Sequence, residues 1–302
     1  MTQSARHSTP PPRGVLLEQV RAVGLALRWP AVAAAALAAL ATLLITSDIL
    51  IGGQAIGFYP ELSMLPGMVG LLLPIGVWKG EKRFGAGFLW TLPVDRRRHA
   101  LTKVFAGWVW LMAVVALFVL WQFTLALLSG GNIIGEETLR VLTSSFPAPG
   151  PIDISTAAMR TVRWTPEPLL WLVPFTGATG SYLLASAVAL GTRHPLRWIA
   201  GAALGILLVD AAGAATHAEW LANAPKRLLE PIFYGPYGFD ALLTARTESL
   251  HTEATLSTGE TVGVWRELPD LGQWAAATLL WTSGSLAALW AAVSRHGERR
   301  RA

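Results

Sequence analysis

Six long apolar stretches, separated by loops whose charge alternates in sign, constrain this chain more than any other feature. They lie at 30–47, 56–78, 104–128, 169–191, 198–215 and 271–293. Each has about 17–25 residues, enough to cross a hydrocarbon layer of about 30 Å as a helix. Lipid offers the backbone no hydrogen-bonding partners, so only helices and closed barrels span it. These stretches are continuously apolar rather than alternating, which specifies helices. The expected fold class is an all-α integral membrane protein with six transmembrane helices.

The loops set the orientation. Of 24 Lys and Arg residues, 17 fall on one side. That side receives the N-terminus, the loop between helices 2 and 3, the loop between helices 4 and 5, and the C-terminus. The other side receives seven: Arg140, Arg160, Arg163, Lys226, Arg227, Arg246 and Arg266. The positive-inside rule places both termini in the cytoplasm. Twelve of the 19 acidic residues lie in the two outer segments, 129–168 and 216–270. The net charge of +5 is therefore a by-product of topology. It argues against a nucleic-acid partner, because the basic residues flank membrane spans.

Composition agrees. At 53% hydrophobic and 14% charged residues, most of the chain belongs in a bilayer. The absence of cysteine excludes disulfides, thiolate metal sites and cysteine nucleophiles. The first apolar run is too long for a signal core and should stay as an anchor. The wealth of Ala, Gly and Arg points to a GC-rich bacterial genome. Trp29, Trp78, Trp171, Trp198, Trp274 and Trp290 lie near span ends, where interfacial belts place tryptophan. Trp110 and Trp121 lie inside helix 3 and do not fit a belt.

Along the chain, residues 1–13 form a polar, proline-rich tail expected to be disordered. Residues 14–295 form one six-helix transmembrane domain, and 296–302 a basic cytoplasmic tail. In 14–29, Leu16, Val20, Val23 and Leu27 make an apolar stripe, with Glu18, Arg21 and Arg28 off it. This is the pattern of an amphipathic helix lying in the membrane surface. Pro66 and Pro74 should kink or break helix 2. Gly177, Gly180, Ser181 and Ala185 in helix 4, and the G-x-x-x-G pair Gly201 and Gly205 in helix 5, suit close helix packing. The outer segments are too long for turns. They hold short helical or extended patterns, such as Leu221–Leu229 and Glu260–Glu267, and together the segments should form a small cap.

The most distinctive local stretch is KGEKRFGAGFLWTLPVDRRRHALTK, residues 79–103. Phe84, Phe88 and Leu92 recur every four residues after Glu81, Lys82 and Arg83, which describes a short amphipathic helix on the inner surface. Pro93 should end it. Asp95 can cap a second helix that begins with Arg96, Arg97 and Arg98 and runs into span 3. Three arginines oppose the dipole of a helix start. Anionic lipid headgroups or an acidic partner account for them better.

This loop resembles that of the permease subunit of type-2 ATP-binding-cassette (ABC) exporters. There a Glu and a Gly precede an apolar run ending in Leu-Pro-Val-Ser-Arg and a basic helix start. Glu81, Gly85, Phe88, Leu89, Leu92, Pro93, Val94 and Arg96 stand in those places here, with Asp95 for the usual Ser. The resemblance implies that the permease dimerises, with an identical copy or a paralogue, and forms the substrate route in the bacterial inner membrane. It implies that the loop is a coupling helix docking on a separate P-loop ATPase subunit. Glu81, Lys82, Arg83, Phe84, Phe88, Leu92 and Pro93 would then be docking residues, and Asp95, Arg96, Arg97 and Arg98 the hinge and lipid anchor. The chain has no G-x-x-x-x-G-K-[ST] loop of its own. It is thus expected to be no enzyme and to bind no cofactor, with ATP held by the partner.

Two acidic residues fall in or near hydrocarbon. Asp210 lies about 20 Å along helix 5 from Arg197, and Glu61 near the outer end of helix 2. A central Asp costs about 2.5–3.5 kcal/mol on insertion scales, so it should face protein or water. Both are candidate intramembrane polar sites. Enzyme signatures fail: Glu136-Glu137-Thr138-Leu139-Arg140 is one residue short of an intramembrane-protease pattern, and no two of the six histidines pair at helical spacing. The readings left are an exporter permease and, as the alternative, a non-transport anchor or regulatory subunit of a membrane assembly.

Overall fold

A computed structural model describes residues 12–52, 64–78, 96–131, 133, 135–142, 152–154, 159–165, 167–192, 194–216, 218, 220, 223–245, 251–256, 258–259, 261–265 and 268–298. The helices are α1 (Pro12–Gly52), α2 (Met64–Val77), α3 (Arg96–Leu128), α4 (Val173–Gly191), α5 (Pro195–Thr216), α6 (Ala224–Phe233), α7 (Phe239–Thr244) and α8 (Leu271–Glu298). A 3-10 turn, Pro168–Leu172, leads into α4. The strands are β1 (Glu137–Leu142), β2 (Ile152–Ile154), β3 (Met159–Trp164), β4 (His251–Leu256) and β5 (Thr261–Trp265).

Among the described residues, four helical stretches are long and apolar enough to cross a membrane: Arg97–Leu128, Pro168–Gly191, Pro195–Gly213 and Leu271–Arg295. They correspond to expected spans 3 to 6, and the chain is a mainly helical, membrane-embedded protein. Helix α2 is shorter, 14 residues or about 21 Å. Expected span 2 begins at 56, and residues 56–63 of it lie outside the described residues.

Span 1 is corrected in its boundaries. The 14–29 segment is not separated from span 1 but forms the first part of α1, a continuous 41-residue helix about 60 Å long. Its apolar stripe does not wait for the membrane surface. Val23 and Leu27 are buried in a core with Val77, Trp78, Ala100 and Val104, and Val20 packs against it. Glu18 and Arg21 stay exposed and pair with each other at 3.2 Å.

Helix α4 is the hub. It packs against α2, α3, α7 and α8, and its small residues explain why. A Cβ on Gly177 would stand 3.1 Å from Leu243, and one on Gly180 2.9 Å from Leu242. Both side chains of α7 thus seat on glycine notches. In α2, a Cβ on Gly70 would press on the Ala178 carbonyl and stand 3.2 Å from Ser181. Helices α4 and α8 run parallel, since Trp274 Nε1 donates to Thr176 Oγ1 at 3.2 Å near their starts and Ala292 faces Gly191 near their ends. Helix α5 differs. It packs on α6 alone among the helices it touches substantially, and Gly201 and Gly205 have nothing within 4 Å.

The outer segments add a five-stranded sheet to the all-α expectation. Its order is β2-β4-β5-β1-β3. β1 pairs antiparallel with β3, and β4 with β5. Parallel pairings join the two hairpins: Val141 opposite Trp265, and β2 alongside β4. One sheet therefore takes strands from both 129–168 and 216–270. That requires the end of α3 and the starts of α4 and α8 to share one side of the bundle, as the charge pattern demands. Beneath it lies a layer of Leu170, Val173, Ala245 and Trp274, flanked by Trp164, Trp171 and Leu271. Asp270 caps α8, its Oδ1 accepting from Gly272 N at 2.7 Å and Gln273 N at 3.1 Å.

Between α5 and the sheet the chain dips back into the bundle. Ala245 sits in the layer with Val173 and Trp274. Phe239, at the other end of α7, packs edge-on against Trp281 at 5.1 Å between ring centroids. From Trp274 to Trp281 is seven residues, about 10 Å along α8. Helices α6 and α7 thus form a re-entrant hairpin whose tip, Tyr234–Gly238, lies below that layer. Backbone at such depth needs internal partners. Tyr234 N donates to Glu230 O, Gly238 N to Gly235 O, and Trp281 Nε1 to Tyr237 O at 3.0 Å. The reversal is tight enough to need glycine, because a Cβ on Gly238 would stand 2.7 Å from Phe233 O.

Tryptophan placement also changes. Trp29, Trp198 and Trp290 are exposed and suit a belt, but Trp78 and Trp274 are buried core residues. Trp110, which fits no belt, donates its indole N–H to Val20 O at 2.9 Å and lies against Gly24.

Candidate functional site

The two charged side chains buried among the described residues are Lys103 and Asp240. They mark two places, one at each end of the bundle.

The first is the root of the 79–103 loop. Pro74 removes one backbone donor within α2, yet Trp78 N still donates to Pro74 O at 3.0 Å, so the helical path continues to the loop. Helix α3 begins at Arg96, directly after Pro93-Val94-Asp95. Arg97 and Arg98 are exposed. Two turns on, Lys103 is 8% exposed, with its ammonium 4.9 Å from the centroid of the Trp78 ring. A cation over an indole face within about 6 Å is attracted by the ring quadrupole. Next to Lys103, the Val104 carbonyl accepts from the Tyr182 hydroxyl at 2.8 Å. Tyr182 is fully buried, and its ring lies where Gly107 has no side chain. Val77 meets the same glycine. On the α1 side, Leu27 packs on Gly76. Four helices, α1 to α4, therefore converge on the two ends of one loop.

The second place is the re-entrant hairpin. Asp240 is 4% exposed, in the first turn of α7 and below the aromatic layer. A carboxylate at a helix start faces the positive end of the dipole, which offsets part of its burial. Thr244 Oγ1 donates to Asp240 O at 2.9 Å. Further buried hydroxyls are Ser181 on α4 and Ser285 on α8.

Of the residues singled out in the sequence, Glu61, Glu81, Lys82, Arg83, Phe84, Phe88, Leu92, Pro93 and Asp95 lie outside the described residues. Arg96 and Asp210 are described in backbone only, Arg96 at the start of α3 and Asp210 within α5. The residues missed are Lys103, Trp78 and Tyr182 at the root, and Asp240 in the hairpin. The signal for the hairpin was present as Gly235-Pro236-Tyr237-Gly238 between two apolar runs, each too short to span. No group of three His, Asp or Glu residues able to hold a metal occurs among the described residues. No protein-family model matches the chain, and neither a curated protein nor a solved structure is significantly similar to it.

Proposed function

We propose that this chain is the membrane-spanning permease subunit of an ATP-driven ABC exporter in a bacterial inner membrane, with both termini cytoplasmic. The observation that carries the reading is the loop 79–95 and its roots. A basic, amphipathic segment with a Leu-Pro-Val-Asp-Arg ending joins two helices, and both of its ends stand on the junction of α1, α2, α3 and α4. A loop that only anchored the protein to lipid would need the arginines but not that junction. In this reading Glu81, Lys82, Arg83, Phe84 and Phe88 dock on the ATPase subunit, and Arg96, Arg97 and Arg98 hold the hinge at the anionic surface. Helix α5, exposed over 196–208 with Gly201 and Gly205 open, supplies a face for the second permease subunit.

The test is affinity purification of the tagged protein from its native membranes in mild detergent, with mass spectrometry of what accompanies it. A stoichiometric P-loop ATPase, lost when Glu81 and Arg83 are both charge-reversed, is the expected result. An intact, monodisperse protein with no ATPase would refute the reading.

A further inference from the structure

We infer that the interface between α4 and α8 is a hydrated seam, in which Thr278, Thr282 and Ser285 hold a short file of water molecules inside a single chain. The site goes beyond the permease reading and does not depend on it.

Two contacts bracket the seam. Trp274 Nε1 donates to Thr176 Oγ1 near the start of α8, and Ala292 meets Gly191 near its end. Thr278, Thr282, Ser285 and Leu289 follow Trp274 at steps of four, four, three and four residues, and Ala292 comes three later. Steps of three and four keep all six on one face of a helix. That face is therefore turned to α4 along its length. Ser285 is 3% exposed, and the hydroxyl oxygens of Thr278, Thr282 and Ser285 are all buried. None of the three has a hydrogen-bond partner among the described residues. A polar group stranded inside a membrane bundle is costly, so a ligand that satisfies it is favoured.

These hydroxyls pass over an easy partner. Ser and Thr within a helix can donate to the carbonyl one turn back. Thr102, Thr124, Thr192 and Thr216 do so, and on α8 itself the exposed Ser283 donates to Leu280 O at 3.2 Å. The seam hydroxyls are turned away from their own backbone, on the face that meets α4. The α4 hydroxyls near the head of the seam are engaged: Thr176 donates to Val173 O while accepting from Trp274, and Thr179 accepts from Trp108. A second observation stands at the outer head. Gln122 of α3 is 8% exposed, and neither its amide nitrogen nor its oxygen has a partner among the described residues. It shares the buried face of α3 with Val115 and Val119. The next residue, Phe123, stacks at 3.8 Å on Trp171, which flanks the layer that holds Trp274. Gln273 Oε1, beside Trp274, is also buried without a partner among the described residues. Unsatisfied donors and acceptors thus mark a track from the outer layer to Ser285, where Leu289 closes it.

Spacing selects the ligand. Side chains one turn apart on a helix stand about 5–6 Å apart. A water bonded to two hydroxyls at about 2.8 Å each spans the same distance. Hydroxyls and amides can both donate and accept, which gives a buried water the two to four partners it needs. The six residues of this face carry no charge, which suits water rather than an ion.

The experiment uses the full-length protein in lipid nanodiscs and the small reagent methyl methanethiosulfonate, with S-methylation followed by intact mass. The chain has no native cysteine, so each introduced thiol is read alone. The reagent attacks thiolate, and a thiol in dry apolar surroundings does not ionise. Thr278→Cys, Thr282→Cys and Ser285→Cys are compared with Leu279→Cys and Leu286→Cys, at exposed apolar positions of α8, and with Leu289→Cys, at the closed end of the seam. The three seam thiols should react about tenfold or more faster than the other three, the effect of one unit in thiol pKa on the thiolate fraction. Seam thiols as slow as Leu279→Cys overturn the inference. A Leu289→Cys thiol as fast as the seam thiols also overturns it, because the whole interior would then be open. If the cysteine variants do not fold, the triple variant Thr278→Val, Thr282→Val, Ser285→Ala decides by SDS-induced unfolding. Removing hydroxyls that hold water should lower the unfolding midpoint. In a dry seam the same change removes stranded polar groups, and a midpoint equal to or above wild type overturns the inference.

Discussion

Gly107→Ala should be costly out of proportion to its one added carbon. The new Cβ would collide with the Tyr182 hydroxyl and lie 2.9 Å from Val77 Cγ2 and 3.1 Å from Tyr182 Cζ. Neither neighbour has room, because Tyr182 is fully buried and Val77 is 2% exposed. Overpacking of this kind costs about 1–3 kcal/mol. Moving the ring also breaks the bond to Val104 O, and hydrogen bonds between membrane helices average about 0.6 kcal/mol. The sum is about 1.6–3.6 kcal/mol. Tyr182→Phe alone should cost only about 0.5–1 kcal/mol, since Val104 O keeps its helical donor. The informative variant is the double one. Tyr182→Phe removes the very atom that Gly107→Ala strikes, so Gly107→Ala with Tyr182→Phe should be more stable than Gly107→Ala alone. The assay is SDS-induced unfolding in mixed micelles, followed by circular dichroism, across the four members of the double-mutant cycle. Additive costs, or a single Gly107→Ala variant as stable as wild type, would refute the packing described at this joint.

Two further outcomes follow together. The chain has no cysteine, so single cysteines report sidedness cleanly. Thr138→Cys and Thr161→Cys should react with a membrane-impermeant maleimide in intact spheroplasts, and Arg98→Cys and Arg295→Cys only after lysis; equal labelling of all four would contradict the shared outer sheet. Asp270→Ala should lower stability by about 1 kcal/mol by uncapping α8, with Asp270→Asn close to wild type; a thermal-shift comparison in detergent showing both variants equally destabilised would point to charge rather than capping.

Much of the membrane part was legible because lipid enforces simple rules. The ends of α3 at Leu128 and of α4 at Gly191 coincide with the ends of apolar runs, and α8 starts at Leu271 where its run starts. The patterned segments Leu221–Leu229 and Glu260–Glu267 do hold regular structure, part of α6 and β5, but which is helix and which is strand was not legible. The start of α3 at Arg96 matches the break at Pro93. What stayed hidden depends on pairings distant in sequence. The amphipathic stripe of 14–29 specifies an apolar contact but not its partner, which the structure shows to include Trp110 and Gly76. The parallel pairing of Val141 with Trp265 bridges more than a hundred residues, and no local pattern announces it. Lys103 reads as one more inner basic residue until Trp78 is seen over it. Asp240 reads as a loop carboxylate until α7 is placed inside the bundle.

The composite sheet also fixes an order of events during synthesis. β1 and β3 leave the ribosome before α4, but β4 and β5 follow only after α5 and the re-entrant hairpin. Because β1 lies between β3 and β5, the early hairpin has one strand edge that cannot be closed until β5 has been made. Non-local strand pairings of this kind form late and slowly. The nascent protein therefore presents an open edge for the time needed to make nearly a hundred residues, from Trp164 to Thr261. Unpaired edges recruit other strands. The exposed Arg140, Arg160 and Arg163 on that hairpin sit where repulsion between nascent copies would discourage it.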